Sequence, residues 1–134
     1  MRIVLDTNVF ISGVFFAGPP LQILRAWRDG KVKLILSLEI LEEYQRVGRI
    51  LAKKFPGVDL DPILDLLAVG AELISAPDLP EPLCEDPEDD KFLACALAGK
   101  SRHIVSGDRH LLKISGCRGV TILSPRAFVE TYLS

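Results

Sequence analysis

The strongest constraint on this chain is an alternation. Short apolar runs at residues 3–5, 34–36, 73–74, 104–105 and 120–123 are each bounded by Gly, Pro, Ser or charge, as buried strands are. Between them lie longer segments of helical spacing at 21–28, 38–55, 62–69, 89–98 and 126–133. Strands that alternate with helices predict a central parallel β-sheet covered on both faces, a three-layer α/β/α arrangement. The Pro-rich acidic stretch 77–90 reads as a loop. No repeat, low-complexity tract or linker interrupts the pattern, so a single domain over 1–134 is expected.

A chain of 134 residues, 49% apolar and 25% charged, is long enough to bury a core without staples and too apolar to be disordered. No apolar run approaches the roughly 20 residues of a membrane span. The start, MRIVLD, enters a strand pattern with no secretory signature, so a cytoplasmic protein is expected. Cys84, Cys95 and Cys117 lack paired C-x-x-C spacing and read as bystanders in a reducing compartment. A net charge of -2 gives no global attraction for nucleic acid. Any such substrate must be held by local basic patches and by metal.

Several chemistries are disfavoured by what is missing. Neither G-x-x-x-x-G-K-[ST] nor G-x-G-x-x-G is present, which argues against ATP and NAD. With only His103 and His110, and no G-x-S-x-G, a hydrolase triad has little support. The run EDPEDD lacks the Gly and terminal Glu of a calcium loop.

What remains is a set of carboxylates. In open parallel sheets the functional crevice lies beyond the carboxyl ends of the strands. Asp6 in LDTN and Asp108 in IVSGD stand there. At 100° per residue, the helix over 38–55 puts Ile40, Leu41, Tyr44, Val47 and Leu51 on one stripe, with Glu39 and Glu42 opposite, Glu42 in reach of Arg46. Glu43 falls on the flank of the stripe, where a carboxylate needs a partner: a cation such as Lys91 or Arg109, or a shared site. Asp89 lies on the bulky face of its helix with Phe92 and Leu93, and Asp90 at its edge. Asp6 and Asp108 can each also act as N-caps, and Asp86 before Pro87 reads as an N-cap that leaves Asp89 in the first turn. Converging carboxylates without counter-charges call for a divalent cation, and hard oxygen ligands suit Mg²⁺ or Mn²⁺. Such a centre serves phosphodiester cleavage.

Taken in order, VLDTNVFIS, SLEILEEYQRV, DPEDDKFLACALAGKSRHIVSGDRHLL and ILSPRAFVE resemble the PIN-domain ribonucleases, and within them the VapC-like toxins of toxin-antitoxin pairs. The resemblance covers nearly the whole chain. It implies a helix-sandwiched parallel sheet, a Mg²⁺- or Mn²⁺-dependent endoribonuclease acting on single-stranded RNA, and an antitoxin that blocks the site. By position, Asp6, Glu43, Asp89 and Asp108 match the family's acidic quartet, and Asn8 and Ser106 the polar residues beside it. The adjacency of Asp89 and Asp90 leaves the third carboxylate open by one residue.

The reading that follows has Asp6, Asp89 and Asp108 on the metal, with Glu43 completing the pocket or binding a second ion. Asn8 and Ser106 orient carboxylates, with Asp86 and Asp90 in support. Arg109, Arg46 and Lys53 are candidates for the RNA backbone. Phe15, Phe16 and Trp27 are apolar candidates for an antitoxin or homodimer face. Two rivals stand beside this reading. One is a non-catalytic RNA- or partner-binding module. The other is a phosphatase with Asp6 as nucleophile, weakened because Asn8 stands where a second acid is expected.

Overall fold

The computed structural model describes residues 1–134. Its strands are β1 (Arg2–Leu5), β2 (Lys33–Ser37), β3 (Glu72–Ile74), β4 (His103–Val105) and β5 (Thr121–Leu123). They form one sheet in the order β3-β2-β1-β4-β5, with every pairing parallel. Central β1 and its neighbour β2 are deeply enclosed, with Ile3, Val4 and Leu5 and Leu34, Ile35 and Leu36 all buried, while edge strand β3 is largely exposed. The helices are α1 (Thr7–Phe15), α2 (Pro19–Arg28), α3 (Leu38–Lys54), α4 (Asp61–Gly70), α5 (Asp90–Ala98), α6 (Arg109–Lys113) and α7 (Pro125–Phe128), the last continuing as a wider turn over Val129–Leu133. They flank the sheet in the three-layer arrangement that the alternation predicts.

Two helices escape the periodicity. The residues of α1 are apolar around most of its circumference and five of them are buried, so no single stripe marks it. Helix α6 spans only five residues, too few to display a period. Helix α1 is drawn tightly against α2 at Gly13, where a Cβ would stand 2.6 Å from Leu24 Cδ1 and 2.9 Å from the Pro20 carbonyl. No single helix is long and apolar enough to cross a membrane.

The topology places the site. From β1 the chain runs outward through β2 to β3, then returns through α5 to add β4 on the other side of β1. The direction of winding therefore reverses between β1 and β4, and crevices open at such reversals. Helix α5 packs across β1, β2 and β4, which carries its N-terminus to that reversal. Tyr44 of α3 stacks on Phe10 of α1, with ring centroids 4.3 Å apart, and its phenol donates to the Leu5 carbonyl. The last residue of β1 is thus fastened to both helices beside it.

Candidate active site

Asp6 follows β1 directly, and its backbone N–H donates to the Val105 carbonyl of β4 at 3.0 Å. Its carboxylate N-caps α1 by accepting from the Asn8 N–H at 3.4 Å, and it also accepts from the Ser106 hydroxyl at 2.6 Å. Ser106 in turn accepts from the Asp108 N–H at 3.0 Å, so one buried hydroxyl joins the ends of β1 and β4. Asp108 N-caps α6 through the His110 N–H at 2.9 Å. Capping and convergence therefore coexist. Asp6 is 6% exposed, and burial pushes its carboxyl above the ordinary range despite the bonds from Ser106 and Asn8, with repulsion from Asp108 and Glu43 adding to the rise.

Asp86 caps a short 3-10 turn, Pro87–Asp89, by accepting from the Glu88 N–H at 3.0 Å, as the Asp-Pro pair predicts. This turn hands Asp89 to the head of α5. Burial, then repulsion from Asp108, Asp6 and Asp86, pushes the Asp89 carboxyl up to about 6, and it lies within hydrogen-bonding reach of Asp108. Asp90 turns the other way. Its Oδ1 accepts from the Leu83 and Cys84 N–H groups at 3.2 and 2.8 Å, fastening the preceding loop. Of the adjacent acids, Asp89 is the one that interacts with Asp6 and Asp108, and Asp90 is held by the loop backbone.

Glu43 has the partner its place on the helix demands. Lys91 of α5, with a side chain only 4% exposed, puts its Nζ 2.5 Å from Glu43 Oε2 and donates to the Glu88 carbonyl at 2.7 Å. The buried Thr7 hydroxyl donates to Glu43 Oε1 at 2.5 Å. Burial lowers the Lys91 ammonium, but the hydrogen bond and charge of Glu43 outweigh this and raise it above its ordinary value. Arg46 stands 3.9 Å from Glu43 and makes no ion pair with Glu42, because Glu43 is the nearer charge on that flank. Glu43 thus enters the crevice already neutralised, unlike the three aspartates.

Two supporting roles differ from expectation. Asn8 lies at the second position of α1 with its side chain exposed, so its backbone N–H, and not its amide, meets Asp6. Asp86 is exposed and influences Asp89 by charge alone. Among the basic candidates, Arg109 and Lys53 are exposed and unpaired at the head of α6 and in the last turn of α3. His110 is a surface residue, 2.6 Å from Glu85. Phe16 is 48% exposed and meets Phe55 edge-on, whereas Phe15 and Trp27 are half-buried. Burial pushes the Cys84 and Cys95 thiols up to about 12, which keeps them protonated and inert.

Sequence reasoning missed the Tyr44 hydroxyl. The ring was counted in the apolar stripe, and nothing in the spacing reveals a bond to the carbonyl adjoining Asp6.

The donor set of Asp6, Asp89 and Asp108 fits a hard divalent cation in chemistry and charge: all donors are oxygen, and no cation pairs with any of them. No three acidic, His or Cys side chains stand close enough to hold an ion as placed, so binding requires the aspartates to draw inward. Asp89 and Asp108, at the head of α5 and the cap of α6, are both half-buried, whereas Asp6 is buried.

The family model of the PIN domain matches residues 2–110, a span that includes all four acids. No curated protein and no solved structure matches the chain.

Proposed function

Because the chain belongs to the PIN-domain family, whose members are generally nucleases, we propose that it is a Mg²⁺- or Mn²⁺-dependent endoribonuclease that cleaves single-stranded RNA. The observation that carries this reading is that Asp6, Asp89 and Asp108 stand near enough to repel one another at the reversal of the sheet, with no counter-charge among them. When bound there, a divalent cation supplies Lewis-acid stabilisation of the charge that develops at phosphorus and lowers the pKa of water.

The chain's own residues do the positioning. Asp6, Asp89 and Asp108 are the proposed ligands. Ser106 fixes the rotamer of Asp6 and ties it to the Asp108 backbone. Lys91 and Thr7 hold Glu43 at the edge of the crevice, where it adds shape and a fixed dipole without adding free charge. Arg109, adjacent to Asp108, is the proposed contact for the RNA backbone, and Arg46 and Lys53 on α3 are further candidates. A role as toxin, with an antitoxin blocking the crevice and a homodimer as the assembled form, completes the proposal. The half-exposed Phe16 and Phe55 offer it apolar surface. Co-purification with the product of an adjacent gene tests that part.

A second reading, a PIN-like module that binds RNA or a partner without cutting, is favoured by the absence of a ready-made three-ligand group. One experiment separates the two. A pooled RNA library is incubated with the purified protein in Mn²⁺, Mg²⁺ or EDTA, with Asp6→Asn in parallel. Metal-dependent cuts lost in the variant support the nuclease. A folded, inhibitor-free protein that cuts nothing supports the binding module.

A further inference from the structure

At the opposite end of the sheet, where β4 and β5 begin, lies a surface cleft of about 530 Å³ lined by Lys100, Arg102 and Arg118. Its other walls are apolar or neutral, Leu97, Ser101 and Val120 among them, and no carboxylate reaches it. None of the three cations makes an ion pair or a side-chain hydrogen bond, although the chain as a whole is acidic. Asp6 and Asp108 follow the other ends of β1 and β4, roughly 10 Å away along a three-residue strand at about 3.3 Å per residue. Net charge therefore conceals a polarity along the strands.

The backbone adds an independent observation. Lys100, just past the end of α5, has φ 55°, and Arg118, in the turn before β5, has φ 51°. These are the only non-glycine residues in the left-handed region. Glycine holds such a conformation without steric penalty, and the turn around Arg118 uses Gly116 and Gly119 for it. Both positions where glycine would relieve the backbone carry cations instead, and both cations face one cleft. At Lys100 the left-handed residue closes α5, its N–H donating to the Leu97 carbonyl and that of Ser101 to the Ala96 carbonyl, so the helix end sets this backbone and the lysine it carries lines the cleft.

We propose that this cleft binds phosphate, either the phosphodiester backbone of RNA or a free phosphate. Two guanidinium forks and an ammonium present more donors and more charge than a single carboxylate can match, and paired oxyanion geometry is what guanidinium recognises best. The site is separate from the carboxylate crevice and does not depend on hydrolysis there.

The test uses the full chain carrying Asp6→Asn, in EDTA, so that binding is read without cleavage. Into it are combined Lys100→Gly, Arg118→Gly and Arg102→Gln. The two glycines suit the local backbone, so the variant is expected to melt no earlier than its parent. A labelled oligouridylate is titrated by fluorescence anisotropy over a salt series, and inorganic phosphate by calorimetry. The triple variant is expected to bind the oligonucleotide about tenfold more weakly or worse, with a salt dependence shallower by roughly two in log–log slope. Loss of phosphate binding as well identifies a site for free phosphate. Loss for the oligonucleotide alone identifies a backbone site. If the triple variant melts early, Arg102→Gln alone reads the same loss with a smaller change of slope. Equal binding by parent and variant, or no binding of either ligand by the parent, overturns the proposal. RNA cleavage by the unaltered chain is a separate readout, so failure of the nuclease reading leaves this result standing.

Discussion

Two sets of carboxylates stand at the same end of the sheet and are treated in opposite ways. Glu43 meets Lys91 at 2.5 Å and Thr7 at 2.5 Å, and every charge in that set is answered. Asp6 and Asp108 accept hydrogen bonds, Asp89 has no donor, and none of the three has a cation; burial, then repulsion from its neighbours, pushes Asp89 up to about 6. The first set is costly to disturb, since removing one partner of an ion pair with a buried member strands the other charge. The second weakens the fold by mutual repulsion. A chain that neutralises one acid so thoroughly and leaves three others exposed to each other separates scaffold from site within a few residues.

The contrast predicts opposite responses to substitution. Asp6→Asn or Asp108→Asn is expected to lower RNA cleavage on the order of a hundredfold or more, the scale on which one charged catalytic group is felt, while the melting temperature holds or rises. Single-turnover cleavage and a thermal melt on the same preparation check both halves. Lys91→Met should do the reverse to stability. It strands Glu43 and removes the donor to the Glu88 carbonyl, costing about 3–5 kcal/mol, or on the order of 10 °C in melting temperature. Adding Glu43→Gln should recover much of that loss, because the stranded charge, more than the missing contact, is what destabilises. A double variant no more stable than Lys91→Met would mean that the pair is not the source of the effect.

How much of this was readable before folding depends on the range of the interaction. The strands and the long helices were legible because their periods are local, and the ends of β1 and β4 followed from where the apolar runs stop. The need for a partner at Glu43 was legible from its angle on α3. The choice between Lys91 and Arg109 was not, since it depends on how α5 lies against α3. Helix α1 was hidden by burial on most sides and α6 by brevity. Asp89 and Asp90 were inseparable by sequence because the loop that captures Asp90 closes only in the folded chain. The basic cleft was invisible for the same reason. Neither the meeting of Arg102 with Lys100 and Arg118 nor the left-handed backbone of the latter two has a local signature.

Ser106 links the contrast to the backbone. Its hydroxyl serves two aspartates at once, as donor to Asp6 and acceptor for the Asp108 N–H. Ser106→Ala leaves the buried Asp6 carboxylate short of a donor, and a loss of about 1–3 kcal/mol is expected. Cleavage should fall about 10- to 100-fold, as for other residues that orient a ligand. Ser106→Thr retains the hydroxyl and should restore both, provided the buried site accommodates the added methyl. If alanine and threonine behave alike in activity and melting temperature, the hydroxyl bridge has no part in the site.

The smallest expected effect is also the one most specific to the repelling set. With its folded value about 6 and its unfolded value near 3.8, Asp89 is harder to ionise in the native protein than in the unfolded chain. Below 3.8 both states are protonated and Asp89 contributes no penalty. As pH rises from 3.8 to about 6, the unfolded state is favoured by its easier ionisation, and the penalty is complete above about 6. Asp89→Asn removes it. The variant should therefore melt a few degrees higher than its parent above pH 6, on the order of 2–6 °C, with the difference shrinking as pH falls towards 3.8. Added Mn²⁺ should close the same gap from the other side, stabilising the parent through its ionised aspartates and the variant less. Melts over this pH range in EDTA and in Mn²⁺ decide the point. A difference independent of both pH and metal would mean that Asp89 is an ordinary first-turn residue of its helix and that the repelling set contains only Asp6 and Asp108.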